Sequence, residues 1–263
     1  MAKIHPSSIV DPSAKLHETV VVGPFCIVGA NVEIGANTIL HSHVVVDGHT
    51  TIGEGNQFYQ GCSVGAPPQD YSYKGEPTKT IIGNNNTFRE YCTIHRGTLK
   101  ENLVTTVGSN SLFMAFVHIG HDAHIGNNLT VANSCNFAGH VRIGDRVIIG
   151  GGTNIQQFCS LGRGAYIGGA TAIDRDIPSF CTAMGIRAHL KGVNIIGLKR
   201  HGYSKQEISE VVDFIRTMET SNISPRSFVE NAEKMTEYKD NKVVQEIAEQ
   251  IRKSEIGIAP FNA

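Results

Sequence analysis

The chain has 263 residues, with 23 Lys and Arg against 24 Asp and Glu and a formal net charge of −1, so no basic surplus argues for a nucleic-acid partner. No apolar stretch approaches the length of a membrane span, and the start, Met1-Ala-Lys-Ile-His-Pro-Ser-Ser8, lacks the apolar core of a signal peptide. Stable membrane insertion is therefore not expected, and the expected location is the cytoplasm.

From Ile4 to Val64, from Ile82 to Ile94 and from Val107 to Ile173, every sixth residue is apolar; Gly follows 13 of these 26 positions. A fixed short period marks a solenoid, and a six-residue period led by an aliphatic marks a parallel β-helix. If three hexads make one triangular coil, residue i lies under residue i+18. The rise per coil should then be about 4.8 Å, the spacing of strands in a sheet. Cys26, Cys62, Cys92, Cys135 and Cys159 all take the fifth place of their hexads, with Ser8, Ala14, Thr38 and Thr153. This is a slot for small inward residues, so these cysteines are expected to be packing groups rather than metal ligands or disulfides. Cys181 lies beyond the regular repeat.

Two interruptions break the period, at 70–81 and at 100–106, and both are expected to leave the scaffold as loops, where function often resides. With the twelve residues of the first removed, Asn56 and Asn86 fall 18 apart, as a hydrogen-bonded ladder inside the coil requires. After about Gly192 the period becomes helical. Ser204-Lys-Gln-Glu207 is a capping box ahead of the stripe Ile208, Val211, Val212, Ile215 and Met218. Ser224-Pro225 opens a second helix running through Phe228, Ala232 and Met235, and Asp240 caps a third with Val243, Val244, Ile247, Ala248 and Ile251 on one face. The expected organisation is a solenoid over 1–190 and a helical domain over 191–263.

Histidines concentrate at Val117-His118-Ile119-Gly120-His121-Asp122-Ala123-His124. The i+18 rule places Gly139 and His140 over His121 and Asp122, Gln157 and Phe158 over those, and Arg96 beneath His121. His95, Arg96, His121, Asp122, Gly139, His140 and Gln157 should thus form one patch. Two chemistries fit it. In one, His121 is a general base steadied by Asp122, and the Gly139 N–H stabilises an oxyanion. In the other, histidines bind zinc, as in β-helical carbonic anhydrases. Those enzymes carry two ligand histidines five residues apart, a spacing absent here. A solenoid that only binds a partner along one face is a third reading.

Several blocks together resemble the acyl-[acyl-carrier-protein]–UDP-N-acetylglucosamine O-acyltransferase family, which begins lipid A synthesis. They are Gly23-Pro-Phe-Cys-Ile-Val-Gly29, Ser42-His-Val-Val-Val46, Gly75-Glu-Pro-Thr78, Thr93-Ile-His-Arg-Gly-Thr98, His121-Asp122, Ala138-Gly-His140, Gln157-Phe-Cys159, Gly192-Val-Asn-Ile195 and Gly197-Leu-Lys-Arg200. The resemblance implies an all-β left-handed parallel β-helix with a C-terminal α-helical domain. It implies transfer of a 3-hydroxyacyl chain from acyl carrier protein to the 3-position of UDP-N-acetylglucosamine, or of a 3-amino analogue. It implies a homotrimer with sites between subunits, no metal, and no cofactor beyond the donor's own phosphopantetheine.

By the same resemblance His121 is the catalytic base, Asp122 its partner and Gly139 the oxyanion contact. His118, His140 and Gln157 line the substrate site; His95 joins them from the patch. Gln69 and Asp70 match sugar and acyl contacts, Asn194 and Arg200 match the nucleotide and carrier side, and Gly169 matches the position that limits acyl length. The chain departs from the family pattern at four places. Ser72 stands where the family has Lys, so a basic contact is lost or moved to Lys74. Gln156 replaces a His, Gly185-Ile186-Arg187 replaces Gly-Asn-His, and Ile196 replaces a Glu near the nucleotide.

Overall fold

Each hexad folds as a two-residue strand and a turn, as at Val21–Val22, Ile27–Val28 and Glu33–Ile34. The computed structural model of the chain describes residues 1–261. Successive strands enter three sheets in rotation, of 11, 9 and 8 strands. Coil pairs with coil at the expected offset: Leu112 lies beside Thr130 and Thr130 beside Ile148. Across the interruptions Gln57 pairs with Thr87 and Thr87 with Leu112, separations that exceed eighteen by the twelve and seven inserted residues. The sheets are parallel throughout the coils, so each strand's backbone groups bond to the coils before and after it.

The corners explain how so short a strand can end. The fourth residue of many hexads has a left-handed backbone, as at Asn31, Asn37, Asn110 and Asn128 (φ 60, 58, 61 and 60°), where a short amide eases the cost. The leading residues fill the core. Phe58, Phe88 and Phe113 are fully buried and stack with centroids 4.8 Å apart, one ring per coil. Asn86 Nδ2 donates to Asn56 Oδ1 at 3.0 Å, and Asn86 Oδ1 accepts from the Ser111 N–H, also at 3.0 Å. The ladder is thus present, and it runs on into Ser111. All six cysteines are free and buried, Cys181 included.

Three sequence expectations need correction. The interruptions are shorter as loops than 70–81 and 100–106, because strands Lys79–Ile82 and Val104–Val107 begin inside them and pair side by side. The division at 190/191 falls within strand His189–Val193, which pairs antiparallel with Cys181–Met184 and closes the first sheet. The helices also differ: they are α1 (Ile195–Arg200), α2 (Lys205–Thr220), α3 (Pro225–Glu230), α4 (Ala232–Thr236) and α5 (Lys242–Lys253). The expected second helix is two, broken at Asn231, whose side chain caps α4 by accepting from the Lys234 N–H. Asn241, not Asp240, caps α5. The capping box at Ser204 and Glu207 is formed.

Helix α5 fastens the helical region to the coil. Its Glu246 accepts from the Arg163 guanidinium at 2.6 Å and from the Ser179 hydroxyl at 2.6 Å. The tail beyond α5 returns to the solenoid, with Ile258 bridging to Asp176. No helix among the described residues is long and apolar enough to cross a membrane.

Candidate active site

The corner between the second and third sheets gathers the clustered histidines. Strand His118–Ile119 ends there, Gly120 turns the chain, and Asp122 takes a left-handed backbone (φ 57°). That turn bends the Asp122 side chain back onto its own neighbour, and His121 Nδ1 lies 2.9 Å from Asp122 Oδ2. Adjacent residues can therefore form the dyad. A carboxylate only accepts, so Nδ1 carries the proton and Nε2 keeps its lone pair.

Asp122 is fully buried and richly bonded. The Thr98 N–H donates to Oδ1 at 2.8 Å and the Thr98 hydroxyl to Oδ2 at 2.7 Å, while the Asp122 N–H donates to Thr105 Oγ1 at 2.8 Å. Burial alone would raise this carboxyl. The bonds from His121 and Thr98 and the nearby His140 outweigh it and hold Asp122 below the ordinary carboxylate value. His121 is 5% exposed, so the paired imidazole and carboxylate share a site from which water is largely excluded.

One coil higher, the imidazole of His121 lies against Gly139. A Cβ on Gly139 would sit 2.4 Å from His121 Cε1 and 2.7 Å from Nε2, so this glycine is required by close approach rather than by its backbone angles. Its N–H donates no hydrogen bond among the described residues.

A cleft of about 370 Å³ opens here, lined by Gln69, His95, His118, His121, Gly139 and Gln157 together with Asn136 and Asn154 of the second sheet. His118 Nδ1 is 2.8 Å from the Thr93 hydroxyl, which orients its ring. His95 is 8% exposed, and its Nδ1 has no hydrogen-bond partner among the described residues. Burial, with the charges of His118, His121 and Arg96, lowers His95 to about 4; burial and then His121 lower His118 also. Both rings are thus neutral near pH 7, able to donate or accept.

The other expected residues lie elsewhere. His140 backs the dyad rather than lining this cleft: its ring is edge-on to His121, stacks on Phe158 at 4.6 Å, and faces an adjoining cleft of about 520 Å³. Arg96 is not part of the patch. The pairing register shifts between Val64 and Ala66, so that Ala66 meets His95 and Arg96 swings to the Gly65 carbonyl (2.8 Å) and the Tyr73 hydroxyl (2.6 Å). Asp70 accepts from Lys100 Nζ at 2.6 Å; that bond chiefly, with those from Ser72, holds its carboxyl well below the usual range. The cation beside Asp70 is therefore Lys100, not Lys74.

Asn194 caps α1, accepting from the Gly197 N–H and donating to the Gly164 carbonyl, both at 2.9 Å. With Arg200 it borders a separate cleft of about 470 Å³ over Thr130, Ile148 and Tyr166 of the first sheet. Gly169 lies in the column over Gly151, at the opposite corner of the second-sheet face from His121, three coils on. Thr98, just before the second interruption, and Glu101, within it, reach the site without having been singled out; Thr98 closes the Thr93 to Thr98 block, which was the only signal available.

The coil geometry and the dyad define a hexapeptide-repeat transferase with a helical second part. A family model described as bacterial transferase hexapeptide (six repeats) matches residues 13–48, and one described as Udp N-acetylglucosamine O-acyltransferase, domain 2, matches 176–259. The acyl-[acyl-carrier-protein]–UDP-N-acetylglucosamine O-acyltransferase of Burkholderia orbicola is 47% identical over 224 residues, 85% of this chain and 86% of that one; the enzyme of the same name from Halorhodospira halophila is 48% identical over 83% and 84%. Among solved structures, the Francisella novicida UDP-N-acetylglucosamine acyltransferase superposes with a TM-score of 0.93 at 36% identity, covering 98% of this chain and 94% of that one. The Moraxella catarrhalis UDP-N-acetylglucosamine O-acyltransferase gives 0.92 at 39%, covering 97% and 99%. The chain belongs to the acyl-[acyl-carrier-protein]–UDP-N-acetylglucosamine O-acyltransferase family, and its coil is the family's left-handed parallel β-helix.

Proposed function

We propose that this protein transfers a 3-hydroxyacyl chain from the phosphopantetheine thioester of acyl carrier protein to the 3-hydroxyl of UDP-N-acetylglucosamine, the first step of lipid A biosynthesis. The observation that carries the reading is the His121–Asp122 dyad at the wall of a cleft, with the Gly139 backbone directly against the imidazole. His121 Nε2 takes the sugar hydroxyl's proton as that oxygen attacks the thioester carbon. Asp122 stabilises the imidazolium that forms, and the Gly139 N–H faces the developing oxyanion. Collapse breaks the C–S bond, and His121 returns its proton to the departing thiolate. His95, His118, Gln69 and Gln157 are the sugar and acyl contacts in this scheme. The cation beside Asp70 is the Lys100 ammonium in this chain.

The zinc alternative meets an obstacle in the same geometry. The ligand atoms of His121, Asp122 and His140 lie within 4.8 Å of one another, but both Asp122 oxygens already accept hydrogen bonds, from His121 and Thr98, with which a metal would compete. Activity is expected to survive dialysis against a chelator.

The working unit of this reading is a homotrimer. Asn194 and Arg200 border a cleft on the first sheet, whereas His121 faces one on the second, which favours a second chain as the means to bring both to one substrate. A closed ring joining the first sheet of one protomer to the second of the next does so. Sedimentation should give three times 28.4 kDa; an active monomer would end that part of the proposal. A cytoplasmic location fits this reading, since its donor and sugar nucleotide are water-soluble.

The test is incubation with UDP-N-acetylglucosamine and 3-hydroxyacyl carrier proteins of ten to sixteen carbons, with mass spectrometry of the product. A single acyl addition released by mild base is the ester expected; a base-stable product formed only with the 3-amino sugar would change the acceptor, and no transfer would refute the reading.

A further inference from the structure

Behind the dyad stands a second layer that the proposed reaction has not used. His140 Nδ1 is 2.8 Å from Glu101 Oε2, and its other nitrogen faces Asp122 Oδ2 at 3.8 Å. Glu101 sits in the second interruption, where no period fixes its place. Its other carboxylate oxygen is bonded by the Arg142 guanidinium, and His124 Nε2 lies 3.7 Å away. His140 is itself 5% exposed, stacked on Phe158 on one face and edge-on to His121.

We infer that Glu101 is a positioning residue: by accepting the His140 Nδ1–H it fixes that ring's tautomer and orientation against Asp122, and so fastens the second loop to the catalytic dyad. The inference rests on the acyltransferase reading above. Its logic is that of any oriented imidazole, whose free nitrogen is set by the bond its other nitrogen makes. With its Nδ1 edge held by Glu101, the His140 ring is kept packed beside Asp122 and edge-on to His121, the two groups of the dyad. The neighbouring residue extends the strap in the other direction, since Lys100 grips Asp70, next to the cleft residue Gln69. Two adjacent side chains of opposite charge thus tie the first loop to the back of the active site.

The test is a double-mutant cycle with kcat and KM measured separately. Glu101→Ala should lower kcat about tenfold, with KM for UDP-N-acetylglucosamine within about twofold and thermal stability little changed. In a His140→Ala background the same substitution should cost less than about twofold, because its route of action is already gone. Glu101→Gln keeps an acceptor for His140 while removing the ion pair to Arg142, and should recover most of the lost kcat. Equal losses in both backgrounds, or Gln no better than Ala, would show that Glu101 merely tethers the loop. Histidine-selective 15N NMR supplies an arm independent of turnover: the downfield His140 Nδ1–H should be present in the native protein and lost in Glu101→Ala. Its absence from the native spectrum would overturn the inference, whereas a native enzyme that transfers no acyl group would overturn the reading beneath it.

Discussion

Replacing Gly139 with Ala adds one methyl group at the most consequential point of the coil. The new Cβ would lie 2.4 Å from His121 Cε1, 2.7 Å from Nε2 and 2.9 Å from Nδ1, and the imidazole is the nearest obstacle on every count. Ordinary contact begins near 3.4 Å, so the ring has to withdraw by about 1 Å. It cannot do so freely, because Nδ1 is bonded to Asp122 at 2.9 Å and the ring is edge-on to His140. The backbone of the coil need not move, since no backbone atom is among the three closest. A displacement of that size at a reacting group costs about 10²-fold in rate, so kcat should fall by about two orders of magnitude while the melting temperature changes by no more than a few degrees. Acyl transfer from a 3-hydroxyacyl carrier protein to UDP-N-acetylglucosamine, followed with circular-dichroism melting, measures both. If Gly139→Ala keeps kcat within about threefold, either the ring is not where the base must be or His121 is not the base. A collapse of the fold would show that the clash is relieved through the backbone.

At Gly169 a Cβ would meet only the Gly151 carbonyl oxygen at 3.3 Å and its nitrogen at 3.8 Å, and the backbone there is not left-handed. Gly169→Met should therefore leave the fold stable but shift preference from a donor of about fourteen carbons to one several carbons shorter. At about 0.8 kcal/mol per buried CH₂, losing three is worth a factor of about 50 in kcat/KM; a uniform loss on ten-, twelve- and fourteen-carbon donors would refute the ruler role. Because His95 is lowered to about 4 in the fold, the unfolded chain binds that proton more readily. Stability from this residue should be full above about pH 6.5, fall by up to about 3 kcal/mol as pH drops towards 4, and level off below. His95→Gln should flatten that part of the urea-unfolding profile, and an unchanged slope would count against the buried neutral ring. All six cysteines should react with a thiol reagent only on unfolding; rapid labelling of Cys62 or Cys135 in the native protein would contradict the hexad phasing.

Where residues repeat, the architecture could be read directly. The hexads fixed the coils, and the i+18 offset placed Gly139 over His121 and Gln157 over Gly139. The Asn56–Asn86 ladder and the buried cysteines followed from the same count. Reading failed where the count breaks. The register shift at Val64 and Ala66 inserts a residue into the pairing, which sends Arg96 to the Gly65 carbonyl and the Tyr73 hydroxyl instead of under His121. Glu101 sits in an interruption with no period, so nothing in the sequence could align it with His140, 39 residues away. In the helical region the apolar stripes found the helices, but the choice of cap is local: Asn231 splits one expected helix, and Asn241 takes the place of Asp240.

The central claim is that His121, held by Asp122, is the base for acyl transfer. His121→Ala tests it most directly, assayed with purified protein of confirmed oligomeric mass against UDP-N-acetylglucosamine and a 3-hydroxyacyl carrier protein. Loss of a general base should lower kcat by about 10²–10⁴-fold with the assembly intact. Turnover within a few-fold of the native enzyme would contradict the claim and move the base to His118 or His140.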